Sequence, residues 1–467
     1  MGRWWVWATA AAALAVAGLF WLPRLIRRVE APIVVGLVHS RTGPLAGVES
    51  AMLDAEVLAL EEINAAGGLL GRRLEWKEAD GRSDPQEFGR EARRLVEVEK
   101  AALIVGGLTS ASRSAMVGAL ESSGVLLAHA GHFEGMEESD GWFGVGPLPN
   151  QQAVPAVSWC IDALKAKRFF LAGTADVSSY AIHAVVRDQL KALGREVAGE
   201  GFVGIDGSGV DEMVAAMKAS GADVAISSIV GDANGAFFKK MAAAGLTPDG
   251  LPVVCLRVSE DDLRRLPPDE TAGHYAAWAY FQSLGDEANR RFVERFKARF
   301  GADRTISDPS ASAYYAVKLW AQAVAEAEST ETVEVLEHLS RQSLAVGEGV
   351  ISVDPEMVHA WRPFRLGKIR RDGQIDQVWA TDRPIRPVPY PVFRTKSDWR
   401  SLLTKWRSTG GPVIEEPAPA SPSAPAASSP PAAPSPVVWG PRGVVRPSGV
   451  ASPVLARSAS SPRPVAR

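Results

Sequence analysis

Leu103-Ile104-Val105-Gly106-Gly107-Leu108-Thr109-Ser110 runs from an apolar strand through two glycines into a hydroxyl pair that opens a helix over Ala111–Ser122. In an open parallel sheet, ligands bind beyond the carboxyl ends of the strands, where loops enter helices. A helix that starts there offers unpaired N–H groups and the positive end of its dipole, which hold a carboxylate or a polarised carbonyl without catalytic chemistry. A serine N-cap with no ligand is the plain alternative for this junction.

Working outward, the same grammar repeats. Ile33–Val38 reads as a buried strand ending at His39-Ser40-Arg41-Thr42-Gly43. The helix Glu49–Ala66 follows, with Leu53, Val57, Leu60 and Ile63 on one stripe and Gly67-Gly68 as its stop. Leu74–Lys77 is a strand, Asp84-Pro85 starts a helix, and Val125–Leu127 is the next strand. This alternation predicts a parallel, doubly wound unit. The pattern restarts after residue 149. Asn150–Ala166, Ser178–Leu193, Asp211–Ala219 and Asp232–Ala244 are helical, interleaved with strands Arg168–Ala172, Glu196–Val203, Val224–Ser228 and Pro252–Cys255. Later come strand His274–Ala279, helices Glu287–Phe300 and Pro309–Ala327, and a small antiparallel region over Gly349–Val353, Phe364–Arg370 and Gln374–Ala380.

The fold class expected is therefore α/β: two doubly wound parallel-sheet lobes with a ligand cleft between them. Lobe 1 is expected over 31–148, with about 273–330 returning to it. Lobe 2 is expected over 149–272, with about 331–382 returning to it, and 383–409 as a C-terminal extension packing on the lobes. Two such lobes commonly close around a ligand.

Both ends read differently. Arg3 precedes an apolar run from Trp4 to Leu22, followed by Arg24, Arg27 and Arg28, just long enough to span a bilayer. Residues 1–30 are expected to be a signal anchor, with cleavage as a signal peptide after Ala15-Val16-Ala17 the alternative. No Cys follows the run, which excludes a lipoprotein anchor, and the basic cluster after it pulls against export by the positive-inside rule. From Gly410 to Arg467, Pro, Ala and Ser dominate, and this tail is expected to be disordered.

Of 467 residues, 46% are hydrophobic and 22% charged, and the net charge of −3 suggests no nucleic-acid partner. Cys160 and Cys255 lie in no metal or redox spacing, and whether they pair is not readable from sequence. Walker A, Gly-x-Ser-x-Gly, His-Glu-x-x-His and Gly-x-Gly-x-x-Gly patterns are missing, and the seven histidines have no metal-ligand spacing. The chain is thus expected not to be an enzyme and to need no cofactor or metal. Binding residues are expected instead: Thr109 and Ser110 as donors from the first unit, and Asp176 and Asp232, each after a strand of the second unit, as acceptors. For each aspartate, a helix N-cap is the alternative role.

Several stretches carry a resemblance. They are Ile33-Val34-Val35-Gly36-Leu37-Val38-His39-Ser40 with Thr42-Gly43, Glu61-Glu62-Ile63-Asn64-Ala65-Ala66-Gly67-Gly68, and Thr109-Ser110-Ala111-Ser112-Arg113. Phe133-Glu134-Gly135, Pro149-Asn150-Gln151-Gln152, Ala272-Gly273-His274-Tyr275-Ala276-Ala277-Trp278 and Pro384-Ile385-Arg386-Pro387 follow in order. From about Ile33 to Trp399 the chain resembles type I periplasmic solute-binding proteins of the Leu/Ile/Val-binding kind, in the urea and short-chain amide branch. The resemblance implies an extracytoplasmic protein that captures a small polar ligand (urea, a short amide or an amino acid) for an ABC permease. A membrane-tethered sensor or scaffold on the same lobes is the alternative. Ser110 matches a pocket position of the family. His129, Gly131, Asp176 and Ser178 stand where the branch has aromatic or threonine side chains, which implies a roomier, more polar pocket; Asp232 with Asn234 fits the urea-like pattern.

Overall fold

Alternation within apolar strands builds the first lobe. Strands β1 (Ile33–His39), β2 (Leu74–Asp80), β3 (Leu103–Gly106), β4 (Leu126–His129) and β5 (Trp142–Gly144) form a parallel sheet in the order β2-β1-β3-β4-β5. Ile33, Val35, Leu37, Leu103, Val105, Leu126 and Ala128 enter the core on one face. Val38, Ile104 and Leu127 enter the core on the other. A sheet covered on both sides needs such unbroken apolar runs. Helix α1 (Ala46–Ala65) covers the first face with Leu53, Val57, Leu60 and Ile63, the predicted stripe. Helices α2 (Pro85–Glu97) and α3 (Ser110–Leu120) cover the second through Phe88, Ala92, Leu95, Met116 and Leu120. The computed structural model describes residues 31–138 and 141–409, so the expected anchor at 1–30 and the tail at 410–467 lie outside the described residues.

The second lobe is a seven-stranded sheet. Strands β6 (Arg168–Thr174), β7 (Glu196–Val203), β8 (Val224–Ser228), β9 (Val253–Cys255) and β10 (Tyr275–Trp278) run parallel to one another within it. Helices α4 (Ala153–Ala163) and α5 (Val177–Ala192) pack one face, and α6 (Val210–Ser220) and α7 (Ala233–Ala243) the other. Short helices α8 (Glu260–Leu263) and α9 (Pro268–Thr271) follow. Helices α10 (Glu287–Phe300), α11 (Asp308–Ala327) and α12 (Thr332–Leu339) then bury Phe292, Phe296, Trp320, Val335 and Leu339 in the core of the first lobe. Strands β11 (Ser343–Val346), β12 (Gly349–Val353) and β13 (Ala360–Trp361) form a separate sheet on that same core. Antiparallel β14 (Arg365–Ile369) and β15 (Ile375–Ala380) return to the second sheet, giving the order β15-β14-β10-β9-β8-β6-β7.

Two boundaries therefore differ from the sequence reading. The sequence places about 273–330 in the first lobe, yet β10 pairs with β9 and β14 in the second sheet. It places about 331–382 in the second, yet α12 and β11–β13 pack on the first, and of this stretch β14–β15 join the second sheet. Apolar periodicity names an element but not the sheet it joins. The extension 383–409 ends in α13 (Lys396–Thr409), which seats Trp399, Leu403 and Trp406 against Tyr180, Ala181, Ala184 and Val185 of α5.

Candidate functional site

The junction after β3 is shaped by its glycines. Gly106 has φ +152°, and a Cβ there would lie 2.0 Å from the Val38 carbonyl oxygen. Gly107, at φ +72°, turns the chain into α3. Thr109 is the N-cap, its Oγ1 accepting from Ser112 N at 3.2 Å while Ser112 Oγ accepts from Thr109 N. The amides of Ser110 and Ala111 are the first-turn groups for which the helix itself supplies no acceptor. Ser110 Oγ donates to the buried Glu134 carboxylate and lies 3.2 Å from the His132 carbonyl.

A second helix N-terminus faces this one from the other lobe. Asp176 caps α5, accepting from Ser179 N at 2.7 Å. Between the two helix starts lies a cavity of about 260 Å³. Its first-lobe wall includes Leu45, Thr109, Ser110, Ala111 and His132. Its second-lobe wall includes Asp176, Val177, Ser178, Val230 and Arg257. The lobes touch around it. Asp232 N donates to Pro44 O at 3.2 Å, and Leu45, Leu108 and Ala130 share an apolar cluster with Val230.

Charge is concentrated at the deep end. Arg257, two residues past β9, is 5% exposed. Its Nη1 donates to His132 Nδ1 at 2.6 Å and lies 3.4 Å from Gln152 Oε1, and its Nη2 donates to Ser178 Oγ at 3.0 Å. Burial lowers the Arg257 pKa to about 10, against the fields of Asp176 and Glu134. Burial lifts Asp176 to about 6, against the Ser179 amide and Arg257. Burial and then Arg257 drive His132 well below the usual imidazole range, so its ring is neutral.

Of the residues singled out in the sequence, Thr109, Ser110, Asp176 and Ser178 come together at the cavity. His129 does not: its ring is buried, with Nδ1 3.2 Å from Gly106 O and Nε2 3.1 Å from His132 O, and edge-on to Trp142. Gly131 is a packing position, where a Cβ would lie 2.2 Å from Leu108 O. Asp232 is exposed at the start of α7 and pairs with Arg265 at 2.7 Å. Only its backbone serves the cleft, because the turn after β8 directs the amide at Pro44 and the side chain at solvent. Sequence reasoning missed Arg257 and His132. The signal was present for Arg257, a cation immediately past the carboxyl end of an apolar strand; His132 carried none.

Cys160 and Cys255 are buried free thiols, each pushed up by burial. Among the described residues no cluster of His, Cys, Asp or Glu could hold a metal ion, and no helix is long and apolar enough to cross a membrane.

Two facing lobes, a mixed second sheet and a cleft between helix N-termini define a two-lobed binding-protein architecture. The chain belongs to the periplasmic binding protein domain family, which it matches over residues 33–396. A limonene hydroxylase of Geobacillus stearothermophilus is 35% identical over 118 residues, 25% of this chain and 22% of that one. An amino acid binding protein of Pseudomonas aeruginosa is 28% identical over 221 residues, 46% of this chain and 59% of that one. The chain thus spans less than two thirds of these relatives. Among solved structures, the solute-binding protein of an ABC transporter from Rhodopseudomonas palustris, in complex with 3,4-dihydroxybenzoic acid, superposes with TM-score 0.69 at 18% identity, covering 76% of this chain and 99% of that one. A branched-chain amino acid transporter substrate-binding protein from Streptococcus pneumoniae, in complex with isoleucine, gives 0.67 at 22%, covering 76% and 100%.

Proposed function

We propose that the protein is an extracytoplasmic solute-binding protein that captures a small polar ligand between two closing lobes and presents it to an ABC permease. One observation carries this reading: a cavity lined from opposite lobes by the first turns of α3 and α5. Helix N-termini aimed at one space favour a ligand with oxygen acceptors. Urea, a short amide and an amino acid all offer such acceptors, and the cavity suits solutes of that size. The apolar run Trp4–Leu22 would hold the lobes at a membrane surface. Binding and release, without chemical change to the ligand, are the expected activity.

A thermal-shift screen of the full-length protein against urea, acetamide, amino acids and aromatic acids tests the reading. A ligand that binds only the folded state raises the midpoint by mass action, roughly 2.7 kcal/mol of stabilisation at a hundredfold excess over Kd. Absence of any shift across the panel would sink it.

A further inference from the structure

Among the described residues three arginines are more than nine-tenths buried: Arg113, Arg257 and Arg362. Two of them sit on carboxylates. Arg362 pairs with Glu348 at 2.7 Å and Asp308 at 2.9 Å. Arg113 pairs with Glu137 and lies 3.6 Å from Glu134. Arg257 is different. Its partners are an imidazole nitrogen, an amide oxygen and a hydroxyl, and among the described residues no carboxylate lies within ion-pair distance of it. It is also the one of the three that lines the cavity. Asp176 and Glu134 act on it only through space, and a buried guanidinium with no directly paired carboxylate is costly unless an anion reaches it.

The neighbours of Arg257 reinforce that demand. A guanidinium cannot accept a hydrogen bond, so the 2.6 Å contact makes His132 Nδ1 an acceptor and leaves the ring proton on Nε2. His132, stacked on Trp278 and itself a lining residue, therefore carries its ring proton on Nε2, away from Arg257. The first-turn amides of α3 and α5 add further donors at the same space. Asp176 is the lining carboxylate, and one of its oxygens is committed to Ser179 N. Leu45, Ile205 and Val230 supply an apolar wall.

We propose that Arg257, with His132 beside it, is a carboxylate-binding site, so that the solute is a small organic acid with an apolar body rather than neutral urea or a neutral amide. Asp176 accepts a hydrogen bond from a donor elsewhere on that acid. The inference rests on the solute-binding reading above and narrows it. An ammonium group and a phenolic hydroxyl both satisfy Asp176, and they separate an α-amino acid from an aromatic hydroxy acid.

Calorimetric titration of the full-length protein tests this with matched pairs: L-isoleucine and its primary amide, 4-hydroxybenzoate and 4-hydroxybenzamide, with urea and acetamide alongside. At least one acid is expected to bind, its amide about 30-fold or more weaker, and Arg257→Gln is expected to lose the acid by a similar factor, the usual scale for stripping one partner from a buried charge pair. Whichever acid binds identifies the group that Asp176 accepts. An amide binding as tightly as its acid, urea or acetamide binding where neither acid does, or Arg257→Gln holding the acid within about threefold would overturn the carboxylate site while leaving the solute-binding reading intact. Should the variant fail to fold, the acid-to-amide ratio on the unaltered protein decides alone. No binding by any of the six would overturn the solute-binding reading together with this inference.

Discussion

Asp176 and Asp232 look alike in the sequence, each a lone acid past an apolar strand, and the structure separates them by burial. The fold raises the Asp176 pKa from 3.8 to about 6, chiefly by burial. A raised carboxyl favours the protonated fold, so its contribution to stability is complete below about 3.8 and is lost as pH rises through about 6. Asp176→Asn keeps a capping oxygen and is expected to flatten the stability profile between those pH values, read by denaturant unfolding; a profile unchanged from the wild type would contradict the assignment. Asp232→Ala removes an exposed pair with Arg265, and its effect is expected to stay below about 1 kcal/mol in stability, with ligand affinity unchanged by calorimetry. His39 titrates in the same sense but in a higher pH window. Burial opposes its charge, but Glu56 at 2.8 Å and Glu49 behind it lift its pKa from 6.5 to about 10. Its contribution is complete below about 6.5 and is lost as pH rises through about 10. Stability is expected to fall by up to about 1.4 kcal/mol per pH unit across that window, and His39→Gln to reduce the slope; equal slopes would remove His39 as the cause.

At the scale of elements, helix starts carry the design. The start of α3 was legible at Thr109-Ser110 beyond two glycines, but as a serine cap; the cap is Thr109, its box closed by Ser112, and Thr109→Ala is expected to cost about 1 kcal/mol in denaturant unfolding. The C-terminal helix α13 was legible only as an extension that packs on the lobes. Its Trp399, Leu403 and Trp406 recur at helical spacing and fill the groove against α5, the helix that carries Asp176. The same helix reaches the first lobe, where Arg407 lies 2.8 Å from Glu137 and 3.5 Å from Glu134. Earlier in the extension, Pro389 O accepts from Met136 N at 2.7 Å. Trp399, fully buried and donating its indole N–H to Pro391 O at 2.7 Å, is the anchor of this strap. Trp399→Ala is expected to destabilise by about 3–5 kcal/mol, the usual cost of emptying a large aromatic site; a midpoint shift near zero would mean that α13 packs as an appendage.

At the scale of the molecule, the cleft is drawn shut by contacts of several kinds: Asp232 N to Pro44 O, Arg257 to His132, and the apolar cluster joining Leu45 to Val230. A ligand can favour this arrangement only through contacts that the parted lobes cannot make. The lobes themselves are discontinuous. The chain leaves the first after β5, returns to it with α10–α12 and β11–β13, and leaves again for β14 and β15.

The α/β alternation, the two units and the helix start at Thr109-Ser110 were legible in the residues alone, and the N-cap role of Asp176 stood there as the alternative to a ligand acceptor. Each of these depends on neighbours a few residues apart, through strand alternation, helical periodicity and first-turn hydrogen bonds. Tertiary structure alone decided which sheet β10 and α12 serve, that His129, Gly131 and the Asp232 side chain stand outside the cavity, and that Arg257 meets His132 across 125 residues of chain. Those outcomes depend on which surfaces exclude water together, and burial of that kind is a property of the assembled lobes that no local window of residues encodes.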